Sequence, residues 1–141
     1  MASPFTSPKE FREVMDRVFT MMSDDPDMGP RLRDADVPQQ FDFTDVELVM
    51  NIRAGRPDET ANLHWEWSEE VEWSPKVRMS MSSETANRYF QGRENVAVAI
   101  LRGRIKTGGD MRAALQLIPI TKPIYERYRA VIAEHYPHLA L

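Results

Sequence analysis

An α+β fold, with helices over one face of a mostly antiparallel sheet, is the architecture predicted by this 141-residue sequence. Three observations carry it. Residues 46–53, 63–67 and 77–81 alternate apolar with polar positions, the period of strands half-buried in a sheet, and short turns join them. After Ser82 the apolar spacing changes to that of helices, broken once by a short strand candidate at 103–107. A further helical stripe precedes the strands, so one sheet has helices available from both ends of the chain.

The first helix is expected from Pro8 to Met22. Ser7 is a good N-cap, Pro8 suits the first helical position, and Glu10 stands at capping-box spacing. Phe11, Val14, Met15, Val18 and Met22 fall on one side of it. Residues 23–40 hold three prolines, a glycine and several aspartates with little apolar period, so they read as an acidic loop or arm. In the first strand Val46, Leu48, Met50 and Ile52 share a face. A Gly-Arg-Pro-Asp turn leads to Leu63, Trp65 and Trp67, and an acidic turn at Glu69–Glu72 leads to Val77, Met79 and Met81. The three runs together read as an antiparallel meander.

Ser82 or Ser83 can cap the next helix, in which Ala86, Tyr89 and Phe90 share a face and Gly92 is the stop. A short helix over Asn95–Leu101 and the strand candidate follow. Asp110 is an N-cap for a helix carrying Met111, Ala114, Leu115 and Ile118. Thr121 and Pro123 open the last helix, with Ile124, Tyr128, Val131 and Ile132 along one side.

Composition narrows the function. At 42% hydrophobic and 28% charged the chain is of ordinary globular type, of a size for one domain spanning 1–141. There is no cysteine, which removes disulfides, thiolate nucleophiles and cysteine-ligated zinc, and fits a cytoplasmic location. The net charge of −4 argues against nucleic acid as a partner. Charge is uneven, however: residues 94–141 carry seven basic and four acidic groups, so the C-terminal third can meet an anionic ligand or, peripherally, a membrane surface. No apolar run reaches the length of a membrane span, and the N-terminus does not read as a secretory signal.

One segment is more specific. Pro-Lys-Val-Arg-Met-Ser-Met-Ser-Ser-Glu at 75–84 leads through a helix to Gly92, and Leu-Arg-Gly-Arg-Ile-Lys-Thr-Gly-Gly-Asp-Met-Arg-Ala-Ala-Leu-Gln-Leu follows at 101–117. This resembles the signature of the sterol carrier protein type-2 family: a strand into a serine-capped helix, a glycine, then Gly-x-Ile-Lys-x-x-Gly-Asp and an apolar helix. Gly103, Ile105, Lys106, Gly109, Asp110, Ala114 and Leu115 occupy the pattern's positions. The chain departs from it in its longer acidic arm, the extra Gly108 and the extension to Leu141.

The resemblance implies a sheet of about five strands, helices over one face, and a hydrophobic tunnel between the layers. It implies non-covalent binding and delivery of long-chain lipids such as fatty acid, acyl-CoA or sterol-like molecules, without a cofactor. Trp65, Trp67, Met79 and Met81 would then form one wall, with Phe90, Ile105, Met111, Leu115, Ile118, Ile124 and Tyr128 closing the space; flat rings and pliable thioethers accept varied apolar shapes. Arg102, Arg104 and Lys106, two apart on an extended chain, would present a basic row to a carboxylate or phosphate, or simply guard a sheet edge.

Enzyme motifs are missing. No Gly-x-Ser-x-Gly elbow occurs, and Gly103–Gly109 lacks the lysine of a phosphate-binding loop. His64 and Glu66 have no accompanying cysteines, and His135 and His138 lack a third ligand, so no metal site is expected. The expectation is therefore a non-enzymatic carrier, or alternatively a non-catalytic accessory subunit of a lipid-metabolising enzyme whose cavity is filled by its own side chains.

Overall fold

The computed structural model describes residues 3–141. Helix α1, Pro8–Asp24, starts as the sequence predicts: the Ser7 hydroxyl accepts from the Glu10 N–H at 3.1 Å. Its stripe, joined by Phe19, is buried along the whole length. Helix α2 spans Met28–Ala35, and the strands are β1 Gln39–Phe43, β2 Leu48–Ala54, β3 Leu63–Glu66, β4 Val77–Met81 and β5 Ile105–Gly109. The remaining helices are α3 Ser83–Phe90, α4 Val96–Leu101, α5 Met111–Thr121 and α6 Ile124–His135, followed by a single turn at Pro137–Leu139.

The five strands form one sheet in the order β3-β2-β1-β4-β5. Three of its pairings are antiparallel, and β1 with β4 is parallel. This corrects the expected meander: β3 and β4 are not neighbours, because β1 is inserted between β2 and β4. Registers of Phe41 with Met50 and with Met79, and of Ile52 with Trp65, put the apolar residues of four strands on one face. The helices cover that face. The other carries Asn51, Arg53, His64, Arg78, Ser80 and Lys106 at the alternate positions.

The acidic arm expected over 23–40 is also corrected, since α2 and the start of β1 occupy it. Asp25 explains how a helix begins in so proline-rich a stretch. Its Oδ1 accepts the backbone N–H groups of Asp27 and Met28 at 2.9 and 2.8 Å. Pro30 then sits in the first turn, where its missing N–H costs nothing. Met28 and Leu32 are buried, and Asp36 in the left-handed conformation ends the helix. Arg33 donates to the carbonyls of Arg56 and Glu59, tying α2 to the turn after β2.

On the outer face Arg53 donates twice to Glu59, at 2.6 and 3.1 Å, and its guanidinium lies 5.1 Å from the Trp73 ring centre. The Arg53 hydrogen bonds hold the Glu59 carboxyl down to about 2 from 4.5, with help from the Arg56 N–H. A depressed carboxylate stabilises fully above its unfolded value and loses that contribution as pH falls through the folded one. Acid titration from pH 4.5 to 2 is therefore expected to loosen this turn, and Glu59→Gln should flatten that part of the stability curve; equal acid sensitivity in both proteins would contradict the assignment.

Gly109 has φ +84, and a Cβ there would press into the Lys76 carbonyl, whereas Gly108 faces open space. Gly109→Ala should cost about 1–3 kcal/mol of stability and Gly108→Ala much less, as read by urea denaturation.

Candidate functional site

Between the sheet and the helices lies an apolar cavity of about 100 Å³. Its floor is Phe41 and Phe43 of β1, Ile52 of β2, Leu63 of β3, Met79 and Met81 of β4, and Ile105 of β5. Its roof comes from Phe19 and Met22 of α1, Leu32 of α2, Tyr89 and Phe90 of α3, Val96 of α4, and the Met111–Leu115–Ile118 face of α5. The α5 residues recur at four and three positions, which places them on one side of that helix. The helix is set by the Asp110 carboxylate, which accepts from the Ala113 N–H at 3.1 Å.

The space is smaller than an engineered cavity of roughly 150 Å³ that holds benzene, and well below the roughly 300–1,000 Å³ of ordinary ligand pockets. In this conformation it is a cavity, and an acyl chain would need the wall to give way. The wall suits that demand. Met22, Met79, Met81 and Met111 are unbranched and flexible, so their rotamers can open volume without moving the backbone. The Phe41 and Phe43 rings stack at 6.0 Å, and Phe19 meets Phe90 edge-on at 5.8 Å, giving the cavity a stiffer aromatic end.

The lining has one polar spot in its roof. The Thr121 hydroxyl donates to the Leu117 carbonyl at 3.1 Å, which leaves the Tyr89 hydroxyl, 3.2 Å away, to donate to the Thr121 oxygen. The Tyr89 oxygen thus keeps acceptor capacity beside an apolar space. Neither residue read as part of a site in the sequence: Tyr89 read as part of an apolar helix face, and Thr121 as the opening of the last helix, whereas it ends α5.

Met79, Met81, Phe90, Ile105, Met111, Leu115 and Ile118, of the residues expected to close the site, come together around this cavity. Four others do not. Trp65 and Trp67 project to the helix side, but α1 covers them: both indole N–H groups donate to Asp16 Oδ1, at 2.9 and 2.7 Å. Ile124 and Tyr128 are fully buried on α6, which packs against α1 and α3 outside the cavity. The Tyr128 hydroxyl donates to Asn87 Oδ1 at 2.8 Å, and burial pushes its pKa up.

The expected basic row is not a row. Arg102 caps the C-terminus of α4, Gly103 turns the chain at φ +76, and the strand begins only at Ile105. Arg104 donates to Glu94 at 2.7 Å, and Glu94, with its side chain 2% exposed, also accepts from Arg88. Lys106 projects from the edge strand β5 into a shallow polar cleft shared with Ser80, Ser82 and Arg104. Among the described residues no three His, Asp or Glu side chains converge as metal ligands. His64 and Glu66 pair with each other at 2.9 Å, and His138 pairs with Glu10 at 2.8 Å.

No protein-family model matches the sequence, and no curated protein sequence matches it. Solved structures do match. The UbiJ-SCP2 ubiquinone synthesis protein superposes with a TM-score of 0.61 at 8% identity, over 83% of this chain and 96% of its own. Sterol carrier protein 2 from Yarrowia lipolytica, in its apo form, gives 0.58 at 12% identity, over 79% of this chain and 89% of its own. The stereoselective inverting sec-alkylsulfatase from Pseudomonas sp. gives 0.61 at 14% identity over 75% of this chain, and this chain spans only 16% of the sulfatase. The chain has the α+β fold of sterol carrier protein 2 domains, on a five-stranded, mostly antiparallel sheet.

Proposed function

We propose that this protein binds long-chain lipids non-covalently in the cavity between sheet and helices and delivers them without chemical change. The observation that carries this reading is the cavity wall itself: methionines and aromatics on both layers, with few polar residues among them, in a fold shared with sterol carrier protein 2. Burying an acyl chain gains roughly 0.8 kcal/mol per methylene before entropic losses, so a chain of fatty-acid length needs no strong polar anchor. The Tyr89–Thr121 pair can still receive a hydroxyl or a protonated carboxyl group. The absence of cysteine and of a nucleophile elbow supports a non-catalytic role, and the composition suits the cytoplasm.

Displacement of a fluorescent fatty acid by unlabelled lipids tests the reading. Saturable one-to-one binding is expected, together with lipid in organic extracts of the purified protein and no hydrolysis of acyl-CoA or simple esters. Absence of binding to any long-chain lipid would overturn it. So would turnover that survives purification and is lost in Tyr89→Phe.

The small cavity volume favours one second reading, an accessory domain filled by its own side chains. The sulfatase, in which a region of this fold is part of a much longer chain, is the parallel for it. An empty protein that binds no lipid but associates with a lipid-metabolising enzyme would support that alternative.

A further inference from the structure

We propose that α4 and α5 form the face by which this protein docks on a negatively charged lipid bilayer, with the cavity mouth against the membrane. The inference rests on the lipid-binding reading for its purpose, but on separate observations for its location.

Apolar exposure is concentrated there. Four large hydrophobic residues among those described are exposed: Val98, Leu101, Leu115 and Leu141. Three of the four lie on α4 and α5. Val98 and Leu101 stand one turn apart on the outward side of α4, while Ala99 on the other side is fully buried. Leu101 is 86% exposed, although its helix could have carried a polar residue there without cost to the core. Leu115 is both 48% exposed and part of the cavity wall, so the cavity reaches solvent beside it. Val96 makes α4 the neighbouring part of that wall.

The charge around these residues has one sign. Residues 93–122 hold six basic and two acidic groups, in a chain whose net charge is −4. Both acids are already engaged. Glu94 is enclosed between Arg88 and Arg104, and Asp110 caps α5 with Lys76 at 3.9 Å. Arg102 directly follows Leu101, and Arg112 is one turn before Leu115; among the described residues neither has a carboxylate within 4.0 Å. Exposed apolar side chains flanked by free arginines match an anionic bilayer, which takes the first into its acyl boundary and the second at its headgroups. A bilayer fits better than an acidic protein because the same patch contains the opening of an apolar cavity: docking there gives a lipid a path that avoids water.

Flotation with phosphatidylcholine vesicles, with and without phosphatidylserine, tests the proposal on the full chain. The protein should float with the anionic vesicles at low salt, and not with the neutral ones. Leu101→Asp should weaken partitioning about tenfold, the loss expected for one unburied leucine. Arg102→Glu with Arg112→Glu should weaken it by at least roughly fivefold per position, and high salt should mimic this. Leu141→Asp, away from the patch, should have no effect. These positions are exposed, so circular dichroism should be unchanged throughout.

Equal flotation with both vesicle types, or indifference to Leu101→Asp, would overturn the proposal. So would self-association that Leu101→Asp abolishes, since the face would then serve a second copy. Fatty-acid binding measured in vesicle-free solution separates the two claims. A wild type that binds fatty acid but never floats defeats docking alone. One that floats through this patch but binds no fatty acid defeats the carrier reading and leaves docking standing.

Discussion

Met79→Asp is expected to abolish fatty-acid binding, lowering affinity by about two orders of magnitude, the equivalent of about 3 kcal/mol. Met79 lies on β4 in register with Phe41 on one side and Thr107 on the other, and its side chain forms part of the cavity floor. An ionised carboxylate there meets apolar atoms in place of water, and Arg53, the one basic residue on the lining, is committed to Glu59 on the outer face of the sheet. It must either draw water into the cavity or take up a proton, and both oppose an acyl chain. Met79→Leu keeps the apolar wall and should bind within a few-fold of wild type. Because Met79 is half-buried rather than fully enclosed, the aspartate variant should still fold. Wild-type affinity in Met79→Asp would mean that the lipid lies elsewhere.

The second large effect concerns stability. Asn87, 1% exposed on α3, joins three parts of the chain. Its amide donates to the Leu139 carbonyl at 3.0 Å, and its carbonyl oxygen accepts from Gln91 at 3.0 Å and Tyr128 at 2.8 Å. Gln91 also donates to the Leu139 carbonyl at 2.8 Å, and the Leu141 N–H donates to Gln91 Oε1 at 3.2 Å. The C-terminal turn is thus held down by two amide side chains, with Leu139 buried beneath it. Asn87→Ala leaves the Tyr128 hydroxyl buried without its acceptor and removes half of the clamp. A loss of about 2–4 kcal/mol in urea denaturation is expected, with faster amide exchange over 137–141. Tyr128→Phe removes the donor together with its need for a partner, and should cost only about 1 kcal/mol. If Asn87→Ala matched Tyr128→Phe in both measurements, the clamp would be unimportant to the fold.

What the sequence made legible divides along physical lines. The segment from β4 through α3 and β5 to α5 could be read because its signals are local: a period of two, a serine cap, glycines at positive φ and the Asp110 cap. Helix α2 was hidden because its start is made by an aspartate turn around prolines, and eight residues give too few turns for a periodic stripe. Strand β1 was hidden for a related reason. Phe41 and Phe43 alternate with Gln40 and Asp42, but directly after Pro38 the run is too short to stand out. Missing β1 hid two rings of the cavity floor and turned a mixed sheet into an expected meander.

The remaining differences are tertiary. Trp65 and Trp67 have strand alternation that sends them to the helix side, yet only packing decides that α1 and Asp16 cover them. Ile124 and Tyr128 form a clear stripe, and nothing local tells whether such a stripe faces a cavity or two other helices. Arg104 looked free in sequence and is taken by Glu94, ten residues earlier.

The most direct test of the cavity as a lipid site is a methyl spectrum of protein carrying 13C-labelled methionine, titrated with a saturated sixteen-carbon fatty acid. Met22, Met79, Met81 and Met111 line the space, whereas Met15 and Met50 are fully buried away from it. The four cavity methyls should shift and saturate together, while Met15 and Met50 stay near their free positions. Shifts confined to methionines outside the cavity, or a spectrum unchanged by any long-chain lipid, would contradict the account.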